Sequence, residues 1–273
     1  MKNKNHNQLE IIFIGTGTAF TCTLGNNNIL IRKGDKHILV DFGITAPYNF
    51  EKMTGMDILD IETILPTHSH SDHIGGLEFL TLKNRYMKQP IGQSTLNLIV
   101  PDEYESVLWN ESLKGGLKYN ELGFQDGAMG IKDYFKVINP EKCDEGRTIY
   151  KINYNGIKLE FFQTNHIPSE ANNIEQAFIT YGLFIDDKVF FSGDTKFDKD
   201  LIMHYNERGA EYYFHDCSFG FNPVHANVDE LLTLEDELKA KMYLMHYGDD
   251  FEKHQDKISK FKALAEAGKV YKF

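Results

Sequence analysis

The chain has few cysteines and no long apolar run. Its 273 residues include only Cys22, Cys143 and Cys217, at wide spacings and without a Cys-x-x-Cys pair. This argues against a disulfide framework and against a four-cysteine zinc site. No stretch approaches the roughly 18 apolar residues of a membrane span, and residues 1–8 lack the apolar core of a signal peptide. We therefore expect a cytoplasmic protein, in the host cytoplasm if a phage encodes it, with no membrane association.

Basic residues are also in deficit. Lysine and arginine total 29 against 40 aspartates and glutamates, which gives a formal net charge of −11. A protein that grips a long polyanion usually carries a basic patch, and the densest cluster here, residues 83–88, is modest. Bound metals can supply local positive charge in an acidic protein. The balance favours a small phosphorylated substrate over stable nucleic-acid binding.

What is present is typical of a globular α/β protein, with 41% hydrophobic and 13% aromatic residues. Strand-like runs fall into an early and a late group with helical stretches between them, which predicts two sheets with helices outside. Asn155-Gly156 and Asp186-Asp187 have the spacing of hairpin turns. Residues 82–145 are less regular and are interpreted as an elaboration of the single domain, 1–273. We also predict helices over 130–138 and 251–267.

The strongest signal is the run His68-Ser69-His70-Ser71-Asp72-His73, directly after an apolar strand at 61–65. Imidazole nitrogens and carboxylate oxygens are the ligands that hold Zn²⁺ and similar ions. Histidines two positions apart direct their two rings the same way. Asp72 and His73 then turn toward the position of a second metal. This spacing suits two metals better than one.

Three more donors follow apolar strands, where loops collect functional side chains: His166, Asp194 and His246. A single histidine at a strand end is weak as a signal, but three such donors behind a complete His-x-His-x-Asp-His motif reinforce one another. Asp41, after another strand, is interpreted as an acceptor for the N–H of a ligand imidazole, or alternatively as a simple turn residue.

At this point the chain resembles the metallo-β-lactamase superfamily, and in particular its phosphodiesterase branch. The motifs that carry the resemblance are Phe13–Thr18, Val40–Gly43, Thr67–His73, His166, Ser192–Thr195, His215–Ser218 and His246. The resemblance implies an αββα sandwich with two divalent ions, Zn²⁺ by expectation and Mn²⁺ as the alternative. It implies that His68, His70 and His166 bind one ion. Asp72, His73 and His246 would bind the other, and Asp194 would bridge them.

The resemblance also implies how catalysis proceeds. A hydroxide between the two ions attacks phosphorus, and Asp72, Asp216 and His225 are the residues assigned to catalysis, Asp72 being a metal ligand as well. In ribonuclease Z an acidic residue pairs with a later histidine and assists the departing oxygen, and here Asp216 and His225 hold those positions. The family usually has glutamate where this chain has Asp216. The alternative for His225 is a helix-capping neighbour.

The resemblance allows two classes of phosphodiester substrate, transfer RNA and cyclic mononucleotides. Ribonuclease Z grips transfer RNA with a basic arm, whereas residues 82–145 contain several carboxylates and so do not resemble an RNA clamp. The chain is similar to phage enzymes that degrade cyclic-nucleotide immune signals, the anti-Pycsar proteins. That resemblance implies a homodimer that opens 3′,5′-cyclic mononucleotides to 5′-monophosphates. Candidates for the base-binding face are Trp109, Tyr119, Phe124, Tyr134, Phe219 and Phe221. A ribonuclease Z-type endonuclease, a hydrolase of thioesters, lactones or lactams, and a non-catalytic binding protein remain open.

Overall fold

The computed structural model of the protein describes residues 8–88, 96–122, 127–144 and 147–273. The predicted polar tail at the N-terminus and the aromatic candidate Phe124 lie outside the described residues. The strands are β1 (Leu9–Gly15), β2 (Asn28–Lys33), β3 (Lys36–Val40), β4 (Thr63–Leu65), β5 (Leu96–Ile99), β6 (Phe135–Ile138), β7 (Glu141–Asp144), β8 (Thr148–Tyr154), β9 (Ile157–Gln163), β10 (Tyr181–Ile185), β11 (Val189–Phe191), β12 (Tyr212–Asp216), β13 (Met242–Met245), β14 (Ala263–Leu264) and β15 (Val270–Lys272).

Short helices connect these strands. The α-helices are α1 (Ala46–Thr54), α2 (Ser71–Ile74), α3 (Leu77–Lys83), α4 (Asp102–Val107), α5 (Lys114–Leu117), α6 (Ile131–Tyr134), α7 (Lys199–Glu207), α8 (Val228–Leu231), α9 (Asp236–Lys239) and α10 (Gln255–Ile258). Turns of 3₁₀-helix lie at Ile58–Asp60, Ile174–Gln176 and Phe251–His254, and π-helical turns lie at Asn84–Lys88 and Leu108–Leu113. Within the described residues, no helix is long and apolar enough to cross a membrane.

The described residues form two compact units, each built on one sheet. Among the residues that the structure describes, the first unit draws on the ranges 8–15, 28–141 and 268–272, and the second on 16–27 and 142–267 with Phe273. The first sheet has the order β15-β1-β2-β3-β4-β5-β6. Strands β3 to β6 are mutually parallel, so the carboxyl ends of β3 and β4 meet at one edge. Loops that follow those two strands are therefore held next to each other.

The second sheet has the order β14-β13-β12-β11-β10-β9-β8-β7. Strands β11 to β14 are parallel, and β9 runs the same way because β10 is antiparallel to both β9 and β11. Four loops thus leave one edge, after β9, β11, β12 and β13. The predicted hairpin turns are confirmed, since Asn155-Gly156 joins β8 to β9, Asp186-Asp187 joins β10 to β11, and all four residues have positive φ.

Helix α7 covers one face of this second sheet. Its residues Leu201, Ile202 and Tyr205 are buried in one cluster with Phe162 and Phe190, whose rings stack 5.1 Å apart. Burying an aromatic or branched aliphatic side chain stabilises a fold by about 1.5–3 kcal/mol. This packing holds β9 and β11, and with them the loops that carry His166 and Asp194.

Two helix predictions are wrong over most of their length. The helix predicted over 251–267 ends with α10 at Ile258, and Ala263–Leu264 instead forms β14, parallel to β13. The helix predicted over 130–138 is limited to α6, and Phe135–Ile138 pairs with β5 as β6. In both places a neighbouring strand supplies backbone partners at a sheet edge, and that pairing outweighs local helix propensity.

Candidate metal centre

The first unit gathers donors in the loop after β4. His68, Asp72 and His73 are buried, and His70 is half-buried. His68 Nε2 lies 3.0 Å from His70 Nδ1, and His73 Nε2 lies 3.3 Å from Asp72 Oδ2. The four predicted ligands of the His-x-His-x-Asp-His motif are thus brought together in two close pairs.

Asp41, which follows β3, organises this loop. Its Oδ1 accepts the backbone N–H of Thr67 at 2.7 Å, and its Oδ2 accepts the Thr67 hydroxyl at 2.8 Å and His73 Nδ1 at 2.7 Å. Burial raises the pKa of Asp41, and the contacts with His73 and Thr67 oppose that rise. With Nδ1 engaged, Nε2 is the nitrogen with which His73 would bind a metal. Asp41 therefore contacts the imidazole of His73, one of the predicted ligands. The part played by Thr67 was not predicted.

Gly43, in the loop after β3, lets the loop after β4 approach its backbone closely. A Cβ at this position would lie 1.9 Å from the carbonyl oxygen of Asp72, so any other residue would force the two backbones apart. Asn28 completes the junction, because its amide accepts Gly43 N–H at 2.9 Å and donates to Asp72 O at 3.0 Å. The glycine of the Val40–Gly43 motif is therefore required by packing beside the ligand loop.

The second unit gathers donors at four strand ends. His166 follows β9, Asp194 follows β11, Asp216 ends β12 and His246 follows β13, and all four are buried. Asp194 Oδ2 lies 3.7 Å from His166 Nε2 and 3.4 Å from His246 Nε2. His246 itself has a φ of 57°, a left-handed conformation that costs free energy in a non-glycine residue. Asp194 thus lies beside both predicted histidine ligands of its unit.

Hydrogen bonds fix the orientation of His166. Its Nδ1 donates to the carbonyl of Val224 at 2.8 Å, which leaves Nε2 toward Asp194. Burial lowers the pKa of His166 to about 4, so the imidazole is neutral near pH 7 and has a lone pair for a metal. The contribution of Val224 could not be inferred from the sequence, because a backbone carbonyl leaves no residue-type signal.

Asp216 and His225 form the predicted pair. His225 Nδ1 lies 2.6 Å from Asp216 Oδ2, which also accepts the backbone N–H of Thr195 at 2.9 Å. Burial alone would raise the pKa of Asp216, but His225 and His246 outweigh it and the pKa is lowered. The His225 ring stacks on His246 with centroids 4.6 Å apart. Ligand atoms of Asp216, His225 and His246 all lie within 4.8 Å of one another.

The donors fit a divalent ion in type and in spacing. Ligands about 2.0–2.1 Å from a tetrahedral zinc ion are separated by roughly 3.4 Å. The donor pairs of the first unit are separated by 3.0 and 3.3 Å, and those of the second by 3.4 and 3.7 Å. Each unit therefore holds imidazoles and a carboxylate at the distances that metal ligands adopt.

Comparison with known proteins identifies the family. Residues 9–271 match the family model described as anti-Pycsar protein Apyc1. The chain belongs to the anti-Pycsar protein Apyc1 family. It is 34% identical over 246 residues to the Apyc1 protein of Bacillus phage 010DV004, covering 89% of this chain and 91% of the relative. It is 32% identical over 267 residues to Apyc1 of Paenibacillus xerothermodurans, covering 97% and 98%.

Solved structures show the fold of this Apyc1 family member. The metallo-β-lactamase fold protein YhfI from Bacillus subtilis has a TM-score of 0.68 at 14% identity, covering 98% of this chain and all of YhfI. Human tRNase Z, short form, has a TM-score of 0.62 at 17% identity, covering 96% and 98%. The chain therefore has the predicted metallo-β-lactamase fold. The family, the fold and the clustered histidines and aspartates support a metal-dependent hydrolase.

Proposed function

We propose that the protein is a dinuclear metal-dependent phosphodiesterase that hydrolyses 3′,5′-cyclic mononucleotides to 5′-monophosphates. The observation that carries the proposal is the match of residues 9–271 to a family whose members are named anti-Pycsar proteins. The chain's resemblance to enzymes that degrade cyclic-nucleotide immune signals supplies the substrate class. The acidic net charge of −11 favours the same small substrate over RNA.

The proposed ligand assignment follows the superfamily pattern. His68, His70 and His166 would bind one ion, Asp72, His73 and His246 would bind the other, and Asp194 would contact both. The donor spacings within each unit support this assignment. When bound, two divalent ions activate water and neutralise charge on the phosphoryl oxygens. Zn²⁺ suits the imidazole-rich set, and Mn²⁺ is the alternative.

His225 then acts on the leaving group. Opening the ring to a 5′-monophosphate breaks the bond between phosphorus and the 3′-oxygen, and that oxygen must gain a proton. Asp216 engages Nδ1 of His225 at 2.6 Å, so Nε2 is the nitrogen that donates the proton. The His225 side chain is 12% exposed, whereas those of His166 and His246 are at most 1% exposed. The more open imidazole is therefore the one that exchanges protons.

The aromatic candidates for the base differ in exposure. Phe219 is buried and its ring stacks on His254 at 4.8 Å, and Trp109 packs near the buried Tyr134. Phe221 is 94% exposed, on the loop that carries His225. Exposing a phenylalanine forgoes about 1.5–3 kcal/mol of burial, which favours Phe221 as the residue that meets the base.

The test is hydrolysis of the four 3′,5′-cyclic mononucleotides with Zn²⁺ or Mn²⁺, read by chromatography. A transfer RNA precursor and a set of thioester and lactone substrates run alongside, with metal-chelated protein as the control. We expect 5′-monophosphates from the metal-loaded protein alone. Cleavage of the RNA without cyclic-nucleotide turnover would instead indicate a ribonuclease Z-type enzyme. Turnover of acyl substrates alone would indicate a carbonyl hydrolase.

The assembly and location of the protein are part of the same proposal. We expect a homodimer, as the resemblance implies, acting in the cytoplasm on a freely diffusing nucleotide. The mass of the native protein in solution, measured by light scattering during gel filtration, tests the dimer directly. A monomeric mass at all concentrations would contradict it.

A further inference from the structure

Ser69 lies between two of the proposed metal ligands, His68 and His70. Its hydroxyl is 3.1 Å from the hydroxyl of Tyr104, and it accepts a hydrogen bond from the hydroxyl of Ser112 at 3.1 Å. The two partners come from residues 102–113, within the elaboration predicted over 82–145. Three hydroxyls therefore connect this stretch to the residue in the middle of the His-x-His sequence.

The first partner of Ser69 is Tyr104, a buried residue of α4. Its full burial raises the pKa of its phenol well above the usual value, so the hydroxyl keeps its proton. A buried hydroxyl that loses its hydrogen bond costs about 1–3 kcal/mol. The contact with Ser69 is thus maintained by the packing of α4 and by the need to satisfy the phenol.

A π-helical turn places Ser112 on the same side as Tyr104. Residues eight apart in a continuous α-helix point about 80° away from each other. The turn Leu108–Leu113 is π-helical, and such a turn takes up roughly one more residue than an α-turn. The extra residue removes most of that angle, so both hydroxyls reach Ser69. Insertions of this kind recur at functional sites.

We propose that Tyr104 and Ser112 are positioning residues for the metal loop, acting through Ser69. This inference rests on the proposed metal-binding role of His68 and His70. Fixing the Ser69 hydroxyl from two directions holds the backbone between the two histidines, whose ring nitrogens lie 3.0 Å apart. Residues 102–113 would then set the precision of the ligand geometry without contacting metal or substrate.

The test compares Tyr104→Phe and Ser112→Ala with Tyr134→Phe. Tyr134 is a matched control, since it is also buried in this stretch and its hydroxyl donates to Leu117 O at 2.8 Å, away from the metal loop. Co²⁺ is titrated into each metal-free protein, the visible spectrum is recorded, and the thermal midpoint is measured without metal. Loss of a group that orients a ligand typically weakens metal binding by about 10–100-fold.

We expect Tyr104→Phe to weaken Co²⁺ binding about tenfold and to alter the Co²⁺ spectrum, with a smaller change of the same kind for Ser112→Ala. Tyr134→Phe should leave affinity and spectrum as in the wild type, even if its metal-free midpoint falls equally. Unchanged affinity and spectrum in both Tyr104→Phe and Ser112→Ala would overturn the proposal, as would equal losses in Tyr134→Phe. If Tyr104→Phe does not fold, Ser112→Ala decides. Because no nucleotide is involved, a wild type that binds Co²⁺ but hydrolyses no cyclic nucleotide would refute the proposed function alone.

Discussion

At the scale of single residues, the pairs His73–Asp41 and His225–Asp216 have the same contact but different exposure. In each pair Nδ1 lies 2.6–2.7 Å from a buried carboxylate, which leaves Nε2 as the working nitrogen. His73 is enclosed with other donors, whereas the His225 side chain retains 12% exposure. The first arrangement suits a metal ligand and the second a proton donor.

Replacing His225 tests whether this residue donates a proton without binding a metal. We expect His225→Ala to retain its metal and to lose turnover of cyclic nucleotides by about 10²–10⁴-fold, the usual contribution of a general acid. Metal content by elemental analysis and kcat by chromatography give the two readouts. His204→Ala, which removes an exposed imidazole on α7, is the control. Wild-type turnover in His225→Ala would remove this residue from the mechanism.

Asp194 is the residue on which the two histidines of the second unit converge. Asp194→Ala removes the carboxylate that lies 3.4 Å from His246 Nε2 and 3.7 Å from His166 Nε2. We expect metal content per chain to fall well below that of the wild type, because a bridging ligand serves both ions. Asp187→Ala, an exposed turn residue, serves as the comparison. Full occupancy in Asp194→Ala would show that the carboxylate does not bridge.

At the scale of elements, the loops after β9 and β11 are tied together by Lys196. Its ammonium donates to the carbonyls of Pro168, Ser169 and Ala171 at 3.3, 2.8 and 2.8 Å, and its backbone N–H donates to Asn165 O at 2.8 Å. His166 and Asp194 each lie within two residues of this junction. One side chain therefore satisfies three carbonyls of the loop that follows a proposed ligand.

Lys196→Met should loosen that loop while preserving the aliphatic packing. We expect a loss of about 1.5–3 kcal/mol in stability, the usual range for hydrogen bonds that involve a charged group, and faster hydrogen exchange in residues 167–173. Exchange followed by mass spectrometry measures this directly. Lys199→Met, an exposed lysine nearby, is the matched control. Identical exchange in the two variants would mean that the loop is held by other contacts.

The wrong predictions of helices come from segments whose conformation depends on a distant partner strand. The apolar runs Leu9–Ile14 and Ile157–Gln163 predict strands from the sequence alone, and they form β1 (Leu9–Gly15) and β9 (Ile157–Gln163). The stretch 251–267 was predicted as a helix, yet Ala263–Leu264 pairs with β13. A two-residue edge strand carries too little periodicity to be recognised, and its conformation depends on a partner about 20 residues earlier in the chain.

At the scale of the whole molecule, each of the two compact units contains histidines and aspartates that are buried or half-buried at the ends of its strands. Buried carboxylates and imidazoles are costly to desolvate, and a bound cation offsets that cost. The metals are therefore expected to stabilise the fold as well as to support catalysis.

Removing the metals tests this expectation. With free metal about 1,000-fold above its dissociation constant, each bound ion stabilises the native state by about 4 kcal/mol, or roughly 8–16 °C in thermal midpoint for a chain of this size. Calorimetry of the chelated protein should show that drop, and adding back Zn²⁺ or Mn²⁺ should reverse it. An unchanged midpoint after verified metal loss would contradict a structural contribution.

The sequence by itself determined which chemical groups are available and where along the strands they lie. Donors that directly follow buried runs, from His68 to His246, identify the superfamily and the expected metals, because residue type and spacing are local properties. Only the tertiary structure decided that the imidazole beside Asp41, itself a predicted acceptor, is that of His73, and only it revealed Val224 beside His166 and Tyr104 beside Ser69. Those partners are separated by 32, 58 and 35 positions. Their contacts follow from strand order and helix packing, which no local pattern of residues encodes.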